Sequence, residues 1–182
     1  MLSTALFAFL LATAQSEPID LNLVTFPSGS RVEVPLLPNG KVEVRRGATL
    51  SRVKVEIDSI DSLSILGPTL RAYIVWAVSP EGEFENIGEL EVDRNKAELE
   101  TATALDRFGI VITAEPYFMV DAPNRAVGFR SGTPRNDDVR VELVNVAVGS
   151  HDFTTLALPP QGSLPARVTQ ARMAYLVAET AG

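Results

Sequence analysis

The sequence predicts an all-β domain, an antiparallel β-sandwich with a C-terminal α-helix, on three observations. Between about Asp20 and Val148 short apolar or alternating runs are separated by Gly, Pro, Asn and Asp turns. Two of these runs, Lys41-Val42-Glu43-Val44-Arg45 and Arg52-Val53-Lys54-Val55-Glu56-Ile57, alternate strictly. The tail from Ala166 to Thr180 instead is rich in Ala, Leu, Met and Arg and contains neither Gly nor Pro.

The elements follow in chain order. Leu2 to Ala14 is a short uncharged apolar run, and Ala12-Thr13-Ala14 supplies the small-x-small pattern of a signal-peptidase site. It is too short to span a bilayer, so residues 1–14 are predicted to be a secretory signal cleaved before Gln15. Leu21, Leu23 and Thr25 alternate along a first strand ending at Pro27-Ser28-Gly29, and Val32 and Val34 continue to Pro35. In the two alternating runs Val42, Val44, Val53, Val55 and Ile57 are expected to face the core. Their charges, of both signs, would oppose one another on the wet face of an antiparallel pair. Asp58 to Pro68 reads as a loop.

Ala72-Tyr73-Ile74-Val75-Trp76-Ala77-Val78 is apolar on both faces, as is Ile110 to Ala114, which predicts central strands covered on both sides. Ser79-Pro80-Glu81-Gly82 turns the chain, and Glu89–Val92 and Ala97–Glu100 form a hairpin across Asp93-Arg94-Asn95-Lys96. Val127–Phe129 and Val139–Val148 bring the total to about nine strands, the pattern of an immunoglobulin-like sandwich over residues 20–150. Residues 151–165, with their Pro and Gly, read as a linker. In the helical tail, 166–182, Val168, Ala171, Tyr175 and Ala178 recur at spacings of three and four and make one apolar interface stripe. A lone helix of this length is marginal in water, so it must dock, pair, or begin a further segment.

Composition excludes several functions. With 16 basic and 23 acidic residues, a formal charge of -7 and no basic run beyond Arg45-Arg46, a nucleic-acid partner is not expected. The chain has no cysteine, which removes thiolate catalysis, Zn–thiolate sites and disulfides. The single histidine, His151, has only a wrongly placed neighbour in Asp152 and lies in no Gly-x-Ser-x-Gly turn. Asp58, Asp61 and Ser62, and likewise Asn136, Asp137 and Asp138, lack the spacing of a calcium loop and read as solvated turns. Glu81, Glu83, Glu85 and Glu115 do not form the opposed pair that glycoside hydrolysis needs. No enzyme, cofactor or metal site is therefore predicted. The candidate contact surface is the loop after Glu115-Pro116, with Tyr117, Phe118, Met119, Asp121 and Asn124; the alternative role for Phe118 is as a plug beneath the sandwich.

The block from Tyr73 to Pro123 resembles the extracytoplasmic C-terminal domain of anti-sigma-K factors. The resemblance rests on an apolar strand with Trp76, Gly82 in the turn, Gly88 in the next strand, and an apolar strand running into Glu115-Pro116. It is similar also to exported bacterial envelope proteins in which such a domain continues into a helical segment and often an OmpA-type domain. The resemblance implies a non-enzymatic interaction or structural module of the periplasm or envelope, with a protein or envelope component as partner and no membrane span once the signal is removed. An extracytoplasmic ligand-binding domain, sensing or carbohydrate-binding, is the alternative.

Overall fold

The computed structural model describes residues 17–135 and 139–149. The leader, the linker and the helical tail with Val168, Ala171, Tyr175 and Ala178 lie outside the described residues, as do His151 and Asn136–Asp138. The described chain is all-β and antiparallel, with eleven strands. They are β1 (Glu17–Thr25), β2 (Arg31–Leu37), β3 (Gly40–Arg46), β4 (Ser51–Ile57), β5 (Ala72–Val78), β6 (Phe84–Glu89), β7 (Glu91–Asp93), β8 (Lys96–Thr103), β9 (Arg107–Glu115), β10 (Val127–Ser131) and β11 (Val141–Val148). One turn of helix, α1 (Leu63–Leu66), interrupts the loop that follows β4.

The ladder runs without a break through β5-β9-β10-β2-β3-β4-β8-β7, with β6 on the outer side of β5. Strands β6 and β7 are the two halves of one bent strand. The first half pairs with β5 and the second with β8, so the sheet curls almost into a barrel and does not split into two separate sheets. At the corner Leu90 is buried and its N–H donates to Tyr73 O at 2.9 Å. Beside the corner, side chains close the gap between β6 and β8. Thr101 Oγ1 donates to Ile87 O at 2.7 Å, and Thr103 Oγ1 donates to Glu85 Oε2 at 2.6 Å. Gly88 there has φ +139°, and a Cβ on it would stand 3.2 Å from the Leu99 side chain. A larger residue would be both strained and crowded.

The expected pairing of the two alternating runs is found. Val42 lies opposite Val55 and Val44 opposite Val53, all four buried, with Glu43 opposite Lys54 and Lys41 opposite Glu56 outside. The Arg94-Asn95 turn, with Arg94 at φ 58°, joins β7 to β8 as the hairpin signal predicts.

Strand β5 is buried at every position, and its two faces serve two cores. Tyr73, Val75 and Ala77, with Phe108, Ile110, Ile112 and Ala114 of β9, point into the barrel. Ala72, Ile74, Trp76 and Val78, with Val111, point outward into a second, smaller cluster roofed by Leu21, Leu23 and Val146 of the β1–β11 pair. The count exceeds the expected nine or so in part because the bent strand divides into β6 and β7; β1 and β11, both expected from the sequence, form this outer layer. Strand β1 crosses β9 so closely that a Cβ on Gly109 would lie 2.7 Å from Asn22 O. Buried Ser131 pins the crossing: its hydroxyl donates to Asn22 O at 2.9 Å and accepts from Ile110 N at 3.1 Å.

Candidate interaction surface

The loop between β9 and β10 begins at a buried polar relay. Trp76 Nε1 donates to Thr113 Oγ1 at 2.8 Å, and the Thr113 hydroxyl donates to Glu115 Oε1. The Asn124 backbone N–H donates to the same carboxylate oxygen at 2.9 Å. Glu115 is fully buried, and its own backbone carbonyl accepts from Arg71 N at 2.7 Å, which ties the foot of this loop to the loop preceding β5. Burying a carboxylate is costly unless donors meet it, and the relay supplies them. Sequence reasoning treated Glu115-Pro116 as a strand end and missed this role. The usable signal was the period-two continuation of Val111 and Thr113, which places residue 115 on the same face, toward the second cluster.

Asn124 is itself buried, at 7% exposure, and spends its side chain on the loop's own backbone. Its Nδ2 donates to Ala114 O at 2.7 Å, and its Oδ1 accepts from Ala126 N. From the other side Asn86 Nδ2 of β6 donates to Phe118 O at 2.7 Å and Val120 O at 3.2 Å. Val120 is buried in the second cluster, and Tyr117 and Phe118 pack half-buried against it. What remains outward is narrower than the candidate set: Met119, 43% exposed, exposed Asp121, and the outer parts of the two rings. Burial first, then the nearby Asp121 and Glu115 carboxylates, raise the Tyr117 hydroxyl above the usual phenol range. Tyr117 is therefore a neutral donor at physiological pH.

Two other features bear on binding. Inside the barrel, the gap among Val34, Val44, Phe108 and their neighbours holds about 10 Å³. Outside, an open groove of about 550 Å³ runs beside β2 and β3, with Arg31, Glu33, Lys41, Asp58 and Arg135 along it. Its cations are partly engaged, Arg31 with Glu43 at 2.6 Å and Lys41 with Glu56 at 3.1 Å. This groove does not adjoin the aromatic loop, and no sequence motif marks it. Among the described residues no group of three His, Asp or Glu side chains is placed to hold a metal ion, and no helix is long and apolar enough to cross a membrane.

Comparison with protein-family models, with curated proteins and with solved structures finds no match to this chain.

Proposed function

We propose that the chain is an exported, non-enzymatic β-module of the cell envelope that works by contact with a protein or other envelope component. The observation that carries this reading is the construction of the loop from Tyr117 to Asp121. Hydrogen bonds from Asn86 hold its Phe118 and Val120 carbonyls, Asn124 ties the chain just beyond it to Ala114, and it presents Met119 and Asp121 outward. A loop fixed before binding loses little entropy on binding, which suits recognition. The small size of the gap among Val34, Val44 and Phe108 inside the barrel supports recognition on the outside. The leader-like residues 1–14 support export. The likeness to the anti-sigma-K C-terminal domain, its immunoglobulin-like layering and the helix at 166–182 belong to the same reading.

Two measurements test it. Fractionation with N-terminal sequencing is expected to find mature protein beginning at Gln15 outside the cytoplasm; cytoplasmic protein retaining Met1 refutes export. A photoreactive residue at position 119 is expected to give a defined adduct in cells, and one at exposed Leu50, at the opposite end of the barrel, none. Equal labelling at the two positions refutes the loop as the contact surface. A second reading, an extracytoplasmic ligand-binding domain, is favoured by the groove beside β2 and β3, whose volume of about 550 Å³ is of small-molecule size.

A further inference from the structure

Among the described residues strand β11 ends the sheet, and the groups on its outer edge can be identified. Thr25 N–H donates to Arg140 O at 2.9 Å, and from there the register between β1 and β11 is one-to-one, Val24 opposite Val141 through Pro18 opposite Ala147. Antiparallel pairs alternate between those that exchange two hydrogen bonds and those that exchange none. The exchanging pairs are therefore Leu23–Glu142, Leu21–Val144 and Ile19–Val146. Pro18, which has no N–H, falls at a non-exchanging position, as this alternation requires. The N–H and C=O groups of Val141, Leu143, Asn145 and Ala147 point away from β1, and among the described residues no backbone group meets them.

The other edges are protected in the usual ways. Strand β7 has three residues, two of them acidic, and β6 shifts register against β5 and has its Ile87 carbonyl occupied by Thr101. Strand β11 has eight residues, VELVNVAV, with no Pro, Gly or Lys and no register shift. Its one charge, Glu142, already lies 3.1 Å from Arg107. Leu143 stands 66% exposed upon it.

We propose that β11 pairs antiparallel with β11 of a second copy of this chain, across a two-fold axis at Val144. In this register Val141 lies opposite Ala147 of the second copy, and Leu143 opposite Asn145 of the second copy. All four outward-pointing residues on each strand then both donate and accept. Moving the axis to Leu143 or to Asn145 leaves Ala147 or Val141 without a strand partner. Charge agrees with the same register: Glu142 faces Val146 of the second copy, so the single charge of the edge never meets its own image. On the core side Val144 meets Val144 of the second copy, and the partly buried and buried valines 144 and 146 of the second cluster run on across the axis. Two β1–β11 layers become one four-stranded sheet, and the interface is isologous, as closed two-fold dimers require.

Sedimentation equilibrium of the full chain between about 1 and about 200 µM tests this. The wild-type chain is expected to dimerise with concentration. Leu143→Lys with Asn145→Lys sets lysines directly opposite each other across the axis and is expected to raise the dissociation constant at least about tenfold. Leu143→Lys with Asn145→Glu sets opposite charges there and is expected to return to within about threefold of wild type. Both positions are exposed, and an unchanged urea midpoint verifies the fold of each variant. A wild-type monomer throughout the range overturns the proposal, whether the edge is covered by the chain's own later residues or stays bare. So does a dimer indifferent to the paired lysines, or a Lys/Glu variant as weak as the Lys/Lys one.

Discussion

Replacing Gly109 by alanine is the sharpest test of the architecture, because beyond the short β1–β9 ladder at Val24 and Thr25 it probes a place where the outer layer approaches the barrel wall backbone to backbone. The new Cβ would come 2.7 Å from Asn22 O and 2.8 and 2.9 Å from Leu21 Cγ and Cδ2, where ordinary contacts begin at 3.4 Å. Strand β1 must therefore retreat by about 0.7 Å, since a backbone carbonyl cannot rotate aside as a side chain can. The carbonyl is also held by Ser131, whose hydroxyl in turn accepts from Ile110 N, so retreat stretches a buried bond as well. Overpacking of this kind costs about 1–3 kcal/mol and a weakened buried hydrogen bond about 1 more. Against this stands a gain of about 0.5–1 kcal/mol from removing a strand glycine. The expected net loss is about 1–3.5 kcal/mol.

The control is Gly128→Ala in β10, where the nearest atoms to a new Cβ lie at 3.8 and 3.9 Å and nothing must move. That variant is expected to stay within about 0.5 kcal/mol of wild type or to gain slightly. Urea unfolding followed through far-UV circular dichroism and through the emission of Trp76 measures both, with an unchanged slope showing that the same surface unfolds. If Gly109→Ala is no worse than Gly128→Ala, β1 does not cross β9 at this point, and the account of the second cluster fails with it.

Two further outcomes follow from the polar groups. Thr113→Val keeps the shape of the side chain but leaves the buried Trp76 N–H without its acceptor and Glu115 without one donor; a loss of about 2–4 kcal/mol in urea unfolding is expected, and a loss below about 0.5 contradicts the relay. On the wet face, hydrogen bonds from Arg31 and then Arg45 hold the Glu43 carboxyl below the usual range, and those from Lys54 and then Lys41 do the same for Glu56. A carboxylate depressed in the folded state stabilises above its unfolded value of about 4.3, and that contribution disappears as pH falls through the folded value. Glu43→Gln with Glu56→Gln is therefore expected to melt slightly lower at pH 7 and to lose less than wild type between pH 6 and pH 3, and an equal loss contradicts the assignment.

How much of this was legible in the sequence depends on the range of the interaction. Alternation in Val42–Val44 and Val53–Ile57 reports a strand with one wet face, and the unbroken apolar run at 72–78 reports one with none; both are local signals and both match the fold. The curl of the sheet is not local. It depends on a bend at Leu90 that lets one strand serve both β5 and β8, and on a β1 that sends Leu21 and Leu23 to one cluster but Val24 and Phe26 to the other. A period of two assigns these residues to opposite faces but does not say which core each face meets. The candidate loop divides in the same way. Met119 and Asp121 are outward as a loop residue's type suggests, whereas the burial of Asn124 depends on Ala114 O and Ala126 N lying where only the folded chain brings them.

The contact loop and the core side of β11 rest chiefly on the second cluster, while Ala126 and Val141 at their ends pack against the barrel. Tyr117, Phe118 and Val120 pack from the loop, Val144 and Val146 from the edge strand, and all share Trp76, Ile74 and Val111 as their floor. The barrel interior is larger and is closed through the bent strand without any of these side chains. A truncation in the floor that leaves the barrel intact, Val111→Ala, should therefore weaken loop order and edge pairing together while the ladder from β2 to β4 stays protected. The two surfaces pack on one small core distinct from the barrel interior, which predicts that they are energetically linked. An occupant of the edge that orders β11 would then also firm the loop, because each ordered element removes from the cluster a freedom that the other would otherwise have to restrict.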